Sequence, residues 1–142
     1  MNKQKGFTLI ELIVVIAIIA ILAAIVLVNV TQYINKSKTA AIQANLDTLK
    51  TQGAAYFADI TNASNFGADF EADTVVGCRS PVSAAITNNS GTLVCHGAAA
   101  TQAWCASSVT PTPTDGTNST WCVDSAGFTA AGDCAGTVCV AS

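Results

Sequence analysis

From Leu12 to Val28 the chain carries no polar side chain, and between Phe7 and Leu12 only Thr8 and Glu11 are polar. A stretch so long and so uniformly apolar has few stable fates. A helix of about 20 residues, rising ~1.5 Å per residue, crosses the hydrocarbon core of a membrane. A cleaved secretory signal has a shorter apolar region, about 7–15 residues, followed by a small-residue A-x-A site. The alanines of this run, Ala17, Ala20, Ala23 and Ala24, never stand in that relation. The run reads as a membrane span.

The 142 residues suffice for that span and one domain. After residue 60 the composition shifts to Ser, Thr, Asn, Gly and Ala, and all six cysteines lie there: Cys78, Cys95, Cys105, Cys122, Cys134 and Cys139. Lys3 and Lys5 precede the span, and positive flanks stay on the cytoplasmic side. An even number of cysteines suits an oxidising exterior. The N-terminus is expected inside and the bulk of the protein outside. Of the nine acids, all but Glu11 and Asp47 lie after residue 58, and Arg79 is the head's only strong base. A head of that charge is a poor match for nucleic acid or anionic lipid.

Glu11 is the residue a plain anchor does not explain. A carboxylate within a membrane is costly and usually has a partner. The helix dipole favours an acid in the first turn, which accounts for Glu11 only if the helix starts near Phe7. The stretch Lys5-Gly6-Phe7-Thr8-Leu9-Ile10-Glu11-Leu12 resembles the class III signal of type IV prepilins and type II secretion pseudopilins. The resemblance implies cleavage by a prepilin peptidase between Gly6 and Phe7, and methylation of the new Phe7 amine. It implies storage in the cytoplasmic membrane, then extraction by an assembly platform into an extracellular helical filament of many copies. Glu11 falls on the family's glutamate, where it would meet the Phe7 amine of a neighbouring subunit and fix their register. Opposite charges at close range in a medium of low effective dielectric favour that pairing. Many pilins carry a proline late in the apolar run and a glycine within it. Here Val28 and Ala20 hold those places, so an unbroken helix is expected.

Beyond the span Ile42, Leu46, Leu49, Gly53, Tyr56 and Ile60 are spaced alternately four and three residues apart, one stripe on a helix face. The predicted helix runs from about Phe7 to about Ala58, roughly 75–80 Å long at 1.5 Å per residue, and Gly53 suggests close approach of a sheet. The stretch Thr61–Gly67 reads as a loop. Thr74–Cys78, Thr92–Cys95, Ala103–Ser107, Thr120–Asp124 and Val138–Val140 read as short strands. Turn residues separate them at Asn88–Gly91, Thr110–Thr114, Asp115-Gly116 and Ser125–Gly127. The expected fold is α+β and pilin-like, a long N-terminal helix packed on a small antiparallel, disulfide-stapled head. The expected divisions are a leader over 1–6, a membrane and filament-core helix over 7–30, an amphipathic helix over 31–60 and a β head over 61–142.

Six cysteines admit many connectivities. Joining near neighbours predicts Cys78–Cys95, Cys105–Cys122 and Cys134–Cys139. No CxxC pair is present and the only histidine, His96, directly follows Cys95, so neither metal nor cofactor is expected. The alternating acids of Asp69–Asp73 lack the spacing of a calcium loop and read as a solvated loop. Asn62, Asn88 and Asn118 begin glycosylation sequons, which are cheap matches in so Ser/Thr-rich a domain. No nucleophile–base set stands out, so catalysis is not expected. The leading functional expectation is a structural pilus subunit. The alternatives are a type II secretion pseudopilin and a membrane-anchored adhesin or binding module.

Overall fold

The computed structural model describes residues 6–58, 78, 80–98, 103–112 and 119–141. Several expectations fall outside these residues: the leader before Gly6, Ile60, the Thr61–Gly67 loop, the Asp69–Asp73 acids, Asp115-Gly116 and the sequons at Asn62 and Asn118. The Thr74–Cys78 strand does too, apart from Cys78, which lies in a turn.

Helix α1 covers Leu9–Ala58, 50 residues in one element. It contains no proline, and Gly53 is its only glycine, so nothing in it forces a break. The chain divides into two compact units, one through Ile34 and one from Asn35. In the first unit the described large apolar side chains from Phe7 to Leu27 are all exposed, between 47% at Val15 and 86% at Phe7. That stretch is long and apolar enough to cross a membrane, and its side chains have no protein cover within the single chain.

In the second unit the predicted stripe is the core. Ile42, Leu46 and Leu49 are fully buried, Gly53 is buried and Tyr56 packs at the margin. They meet Val82, Ile86, Trp104, Ala106 and Val123. Each fully buried aliphatic side chain contributes roughly 1.5–3 kcal/mol.

Helix α2, Pro81–Asn88, has extended Ser80 at its N-cap and proline in its first turn. A proline there loses no helical hydrogen bond and has its φ preset. Val82 and Ile86, four apart, bury the same face. The helix ends with the N–H groups of Asn89 and Gly91 both donating to the Ile86 carbonyl, at 3.1 and 3.0 Å. Ser90, with φ 68°, is the left-handed residue of this turn. Gly91 is needed for a different reason: a Cβ there would lie 2.7 Å from Ser108 Oγ and 2.8 Å from Ile86 Cγ2.

Strands β1 (Leu93–Ala98), β2 (Ala103–Val109), β3 (Thr120–Asp124) and β4 (Thr129–Ala131) form an antiparallel meander in that order. Strands β5 (Asp133–Ala135) and β6 (Val138–Val140) form a separate hairpin, turning through Gly136 at φ 68°. An antiparallel meander was expected, but with Val138–Val140 as a member, whereas that strand lies in the separate hairpin; α2, β4 and β5 were not expected. In β2 the residues Trp104 to Ser108 are all buried. Alternate side chains point to opposite faces of a strand. Trp104 and Ala106 belong to the core that includes α1 and α2, while Cys105 and Ser107 reach the β5–β6 hairpin.

The disulfides are Cys78–Cys95, Cys105–Cys134 and Cys122–Cys139. The first matches the near-neighbour expectation and the other two correct it. Cys105 opposes Asp124 and Cys122 opposes Ser107, so the two cysteines are diagonal neighbours on one face of the sheet. Cys134 and Cys139 oppose each other in the hairpin. Pairing within each layer would leave the hairpin unfastened, whereas the observed bridges run between layers. They also close loops of 29 and 17 residues. Replacing the longer loop by one from Cys134 to Cys139 would forgo roughly 1.5 kcal/mol of unfolded-state entropy.

Candidate processing and assembly site

Gly6, Phe7 and Thr8 precede the helix and Glu11 lies in its first turn. Thr8 and Glu11 close on each other. The Thr8 N–H donates to Glu11 Oε2 at 2.8 Å, and the Thr8 hydroxyl donates to the same oxygen at 2.7 Å. In return the Glu11 N–H approaches Thr8 Oγ1 at 3.3 Å. This is a capping box, Thr-x-x-Glu, in which two otherwise orphaned N–H groups are satisfied reciprocally. The Leu12 N–H reaches the Thr8 carbonyl at 3.3 Å and completes the first turn.

Among the described residues the hydrogen-bond partners of Glu11 are therefore all from Thr8, and they are neutral. The sequence reading gave Glu11 a partner only in a neighbouring subunit, and this contact within the chain adds to it. The spacing was readable, since Thr or Ser three residues before an acid at the head of an apolar run marks a helix start. Its charge remains unmatched by these donors. The hydroxyl and amide lower the cost of placing a carboxylate in an apolar setting, and a cation would lower it further.

Gly6 is exposed, and a Cβ built on it meets nothing within 4 Å. Its backbone is not left-handed either. Nothing among the described residues demands glycine at this position. Phe7, the most exposed large apolar residue among those described, follows it directly.

In the head, hydrogen bonds and bridges hold the β5–β6 hairpin to the sheet. Asp124 is buried; its Oδ1 accepts the N–H groups of Ala126 and Phe128 at 3.0 and 2.9 Å, and its Oδ2 accepts that of Cys139 at 3.1 Å. Ser107 donates its hydroxyl to Asp133 Oδ1 at 2.8 Å. The sulfur atoms of Cys105, Cys122 and Cys134 lie within 4.8 Å of one another, but all are consumed in bridges. Lys50 of α1 donates to the Gly127 carbonyl and to Thr129 Oγ1, both at 2.9 Å. His96 is exposed on β1.

A long N-terminal helix whose apolar start is exposed and capped, and a small antiparallel head stapled by three disulfides, make an α+β, pilin-like fold. Residues 1–27 match the family model for the prokaryotic N-terminal methylation motif, the class III signal of type IV pilins and pseudopilins. No curated protein and no solved structure matches the chain.

Proposed function

We propose that this chain is the structural subunit of a type IV pilus. A prepilin peptidase cuts between Gly6 and Phe7, and the Phe7 amine is methylated. The mature chain waits in the cytoplasmic membrane, held by the helix over 7–30, with its head outside. An assembly platform then draws it into a filament whose core is the packed helices of many copies. The subunit itself is not catalytic and binds no nucleic acid directly.

The observation that carries this reading is Glu11, an acid at the head of an exposed apolar stretch, whose partners among the described residues are neutral groups of Thr8. In the filament the cationic terminus of the partner subunit's Phe7 supplies the missing charge. Desolvation opposes this gain and limits it to well-aligned neighbours, which is how the pair sets register. Gly6 fits the same reading, since no contact among the described residues asks for a residue lacking a side chain; an enzyme approaching the backbone closely does.

The pseudopilus of type II secretion shares the N-terminal signal. The cystine-stapled, hydroxyl-rich head suits a long exposed fibre, and we favour the pilus for that reason. N-terminal mass analysis of sheared surface material tests the proposal. Fibres dominated by chains that begin at methylated Phe7 support it. Full-length or otherwise truncated chains, or the absence of fibres, refute it. A mere anchor for an adhesin would display the head equally well with Glu11→Ala.

A further inference from the structure

We infer that Thr8 is a positioning residue for processing: its side chain stops the helix one residue after Phe7 and so keeps the Gly6–Phe7 peptide bond out of the helix. This rests on the cleavage site proposed above and adds to it the reason that the bond is accessible.

The helix begins at Leu9, and Gly6, Phe7 and Thr8 have no helical assignment. Thr8 occupies the N-cap position, where a side-chain oxygen normally accepts an N–H of the first turn. Here Oγ1 faces the Glu11 N–H at 3.3 Å while the hydroxyl and amide of Thr8 hold the Glu11 carboxylate at 2.7 and 2.8 Å. These contacts commit the Thr8 backbone to a non-helical conformation. The preceding residues would not stop a helix by themselves: Lys3, Gln4 and Lys5 are good helix formers, and Gly6 is only a weak point. Without the cap the helix can grow back through Phe7. The Phe7 N–H and the Gly6 carbonyl would then enter helical hydrogen bonds, and the bond between them would be shielded by neighbouring turns. Proteases cut exposed, non-helical backbone, and a helix has to open locally first. Phe7, at 86% exposure, and unobstructed Gly6 are the flanks of a bond that is already open.

The cap changes the fraction of precursor in the cleavable conformation, so its loss should act on apparent affinity and leave the chemical step alone. The test uses the full-length precursor in detergent or lipid with a prepilin peptidase. Thr8→Ser and Thr8→Asn keep a capping oxygen; Thr8→Val keeps the shape and loses it. We expect kcat/KM to fall about fivefold for Thr8→Val, through KM, with kcat unchanged, as the typical energy of an N-cap implies. Thr8→Ser and Thr8→Asn should stay within about twofold of the parent. Amide exchange at Phe7 should slow in the valine variant as the helix extends. If valine is cut like threonine while serine and asparagine are not, side-chain shape governs and the inference is wrong. Equal rates for all four chains also overturn it, with cleavage after Gly6 still standing. If the parent chain is not cut after Gly6, the processing reading falls and takes this inference with it.

Discussion

The Asp124 carboxylate accepts the backbone N–H of Cys139 at 3.1 Å. The last residue of β3 is thereby tied to the middle of β6, beside the disulfide that joins Cys139 to Cys122. The other carboxylate oxygen closes the β3–β4 turn on Ala126 and Phe128. One buried side chain thus serves both the turn and the attachment of the hairpin.

Replacing Asp124 by alanine strands several N–H groups, and hydrogen bonds to a charged acceptor are worth ~1.5–3 kcal/mol each. A net loss of about 2–3 kcal/mol is expected, read as a lower denaturant midpoint for the detergent-solubilised chain. Asparagine is the sharper variant. Its oxygen can serve the turn, but its amide then faces the Cys139 N–H as donor to donor. The hairpin amides should exchange faster in Asp124→Asn, while those of the β3–β4 turn keep their protection.

Peptide mapping under non-reducing, acidic conditions should recover Cys78–Cys95, Cys105–Cys134 and Cys122–Cys139. Removing one interlayer bridge, as Cys122→Ser with Cys139→Ser, should cost roughly 2–4 kcal/mol. The single variant Cys139→Ser is expected to do more. It frees a Cys122 thiol whose sulfur sits 3.7 Å from Cys134, within reach for thiol–disulfide exchange. The Cys105 sulfur lies 3.4 Å from Cys122, so maps of that variant should show Cys122 linked to Cys105 or to Cys134, with the displaced thiol free.

Gly91→Ala should destabilise the head by ~1–3 kcal/mol. The added methyl would press on Ser108 Oγ, Ile86 Cγ2 and Ile42 Cδ1 together, where α1, α2 and β2 converge. A thermal melt compared with Ser90→Gly separates crowding from conformation. Ser90 carries the left-handed φ, so glycine there relieves backbone strain and should not destabilise.

Much of this fold is legible in the sequence because its signals are periodic. The Ile42–Leu46–Leu49 stripe needs only helical spacing, and Thr120–Asp124 needs only a β-prone run between turn residues. Helix α2 was legible too, from Ser80-Pro81 and the Val82–Ile86 spacing, but so short an element competes poorly with surrounding strand signals. Strands β4, β5 and β6 have three residues each, too few for alternation to be visible. The β6 expectation rested on Val138 and Val140. Disulfide partners depend on which layers stack, as the diagonal placement of Cys105 and Cys122 shows, and no local pattern encodes that. At the N-terminus the residue types pointed to Gly6, Phe7 and Glu11. The reciprocal contact of Thr8 with Glu11 is present as the four-residue pattern Thr-x-x-Glu, where the same acid also reads as a charge awaiting a partner.

On the proposed function, Glu11 exchanges its neutral Thr8 donors for a cation when subunits assemble. A fibre map at a resolution that shows side chains measures this directly. The prediction is a Glu11 carboxylate within about 4 Å of the terminal nitrogen of the partner subunit's Phe7, close enough for a charge-assisted contact. A carboxylate still bound only to Thr8 of its own chain, or turned to water with no cation near, would contradict it.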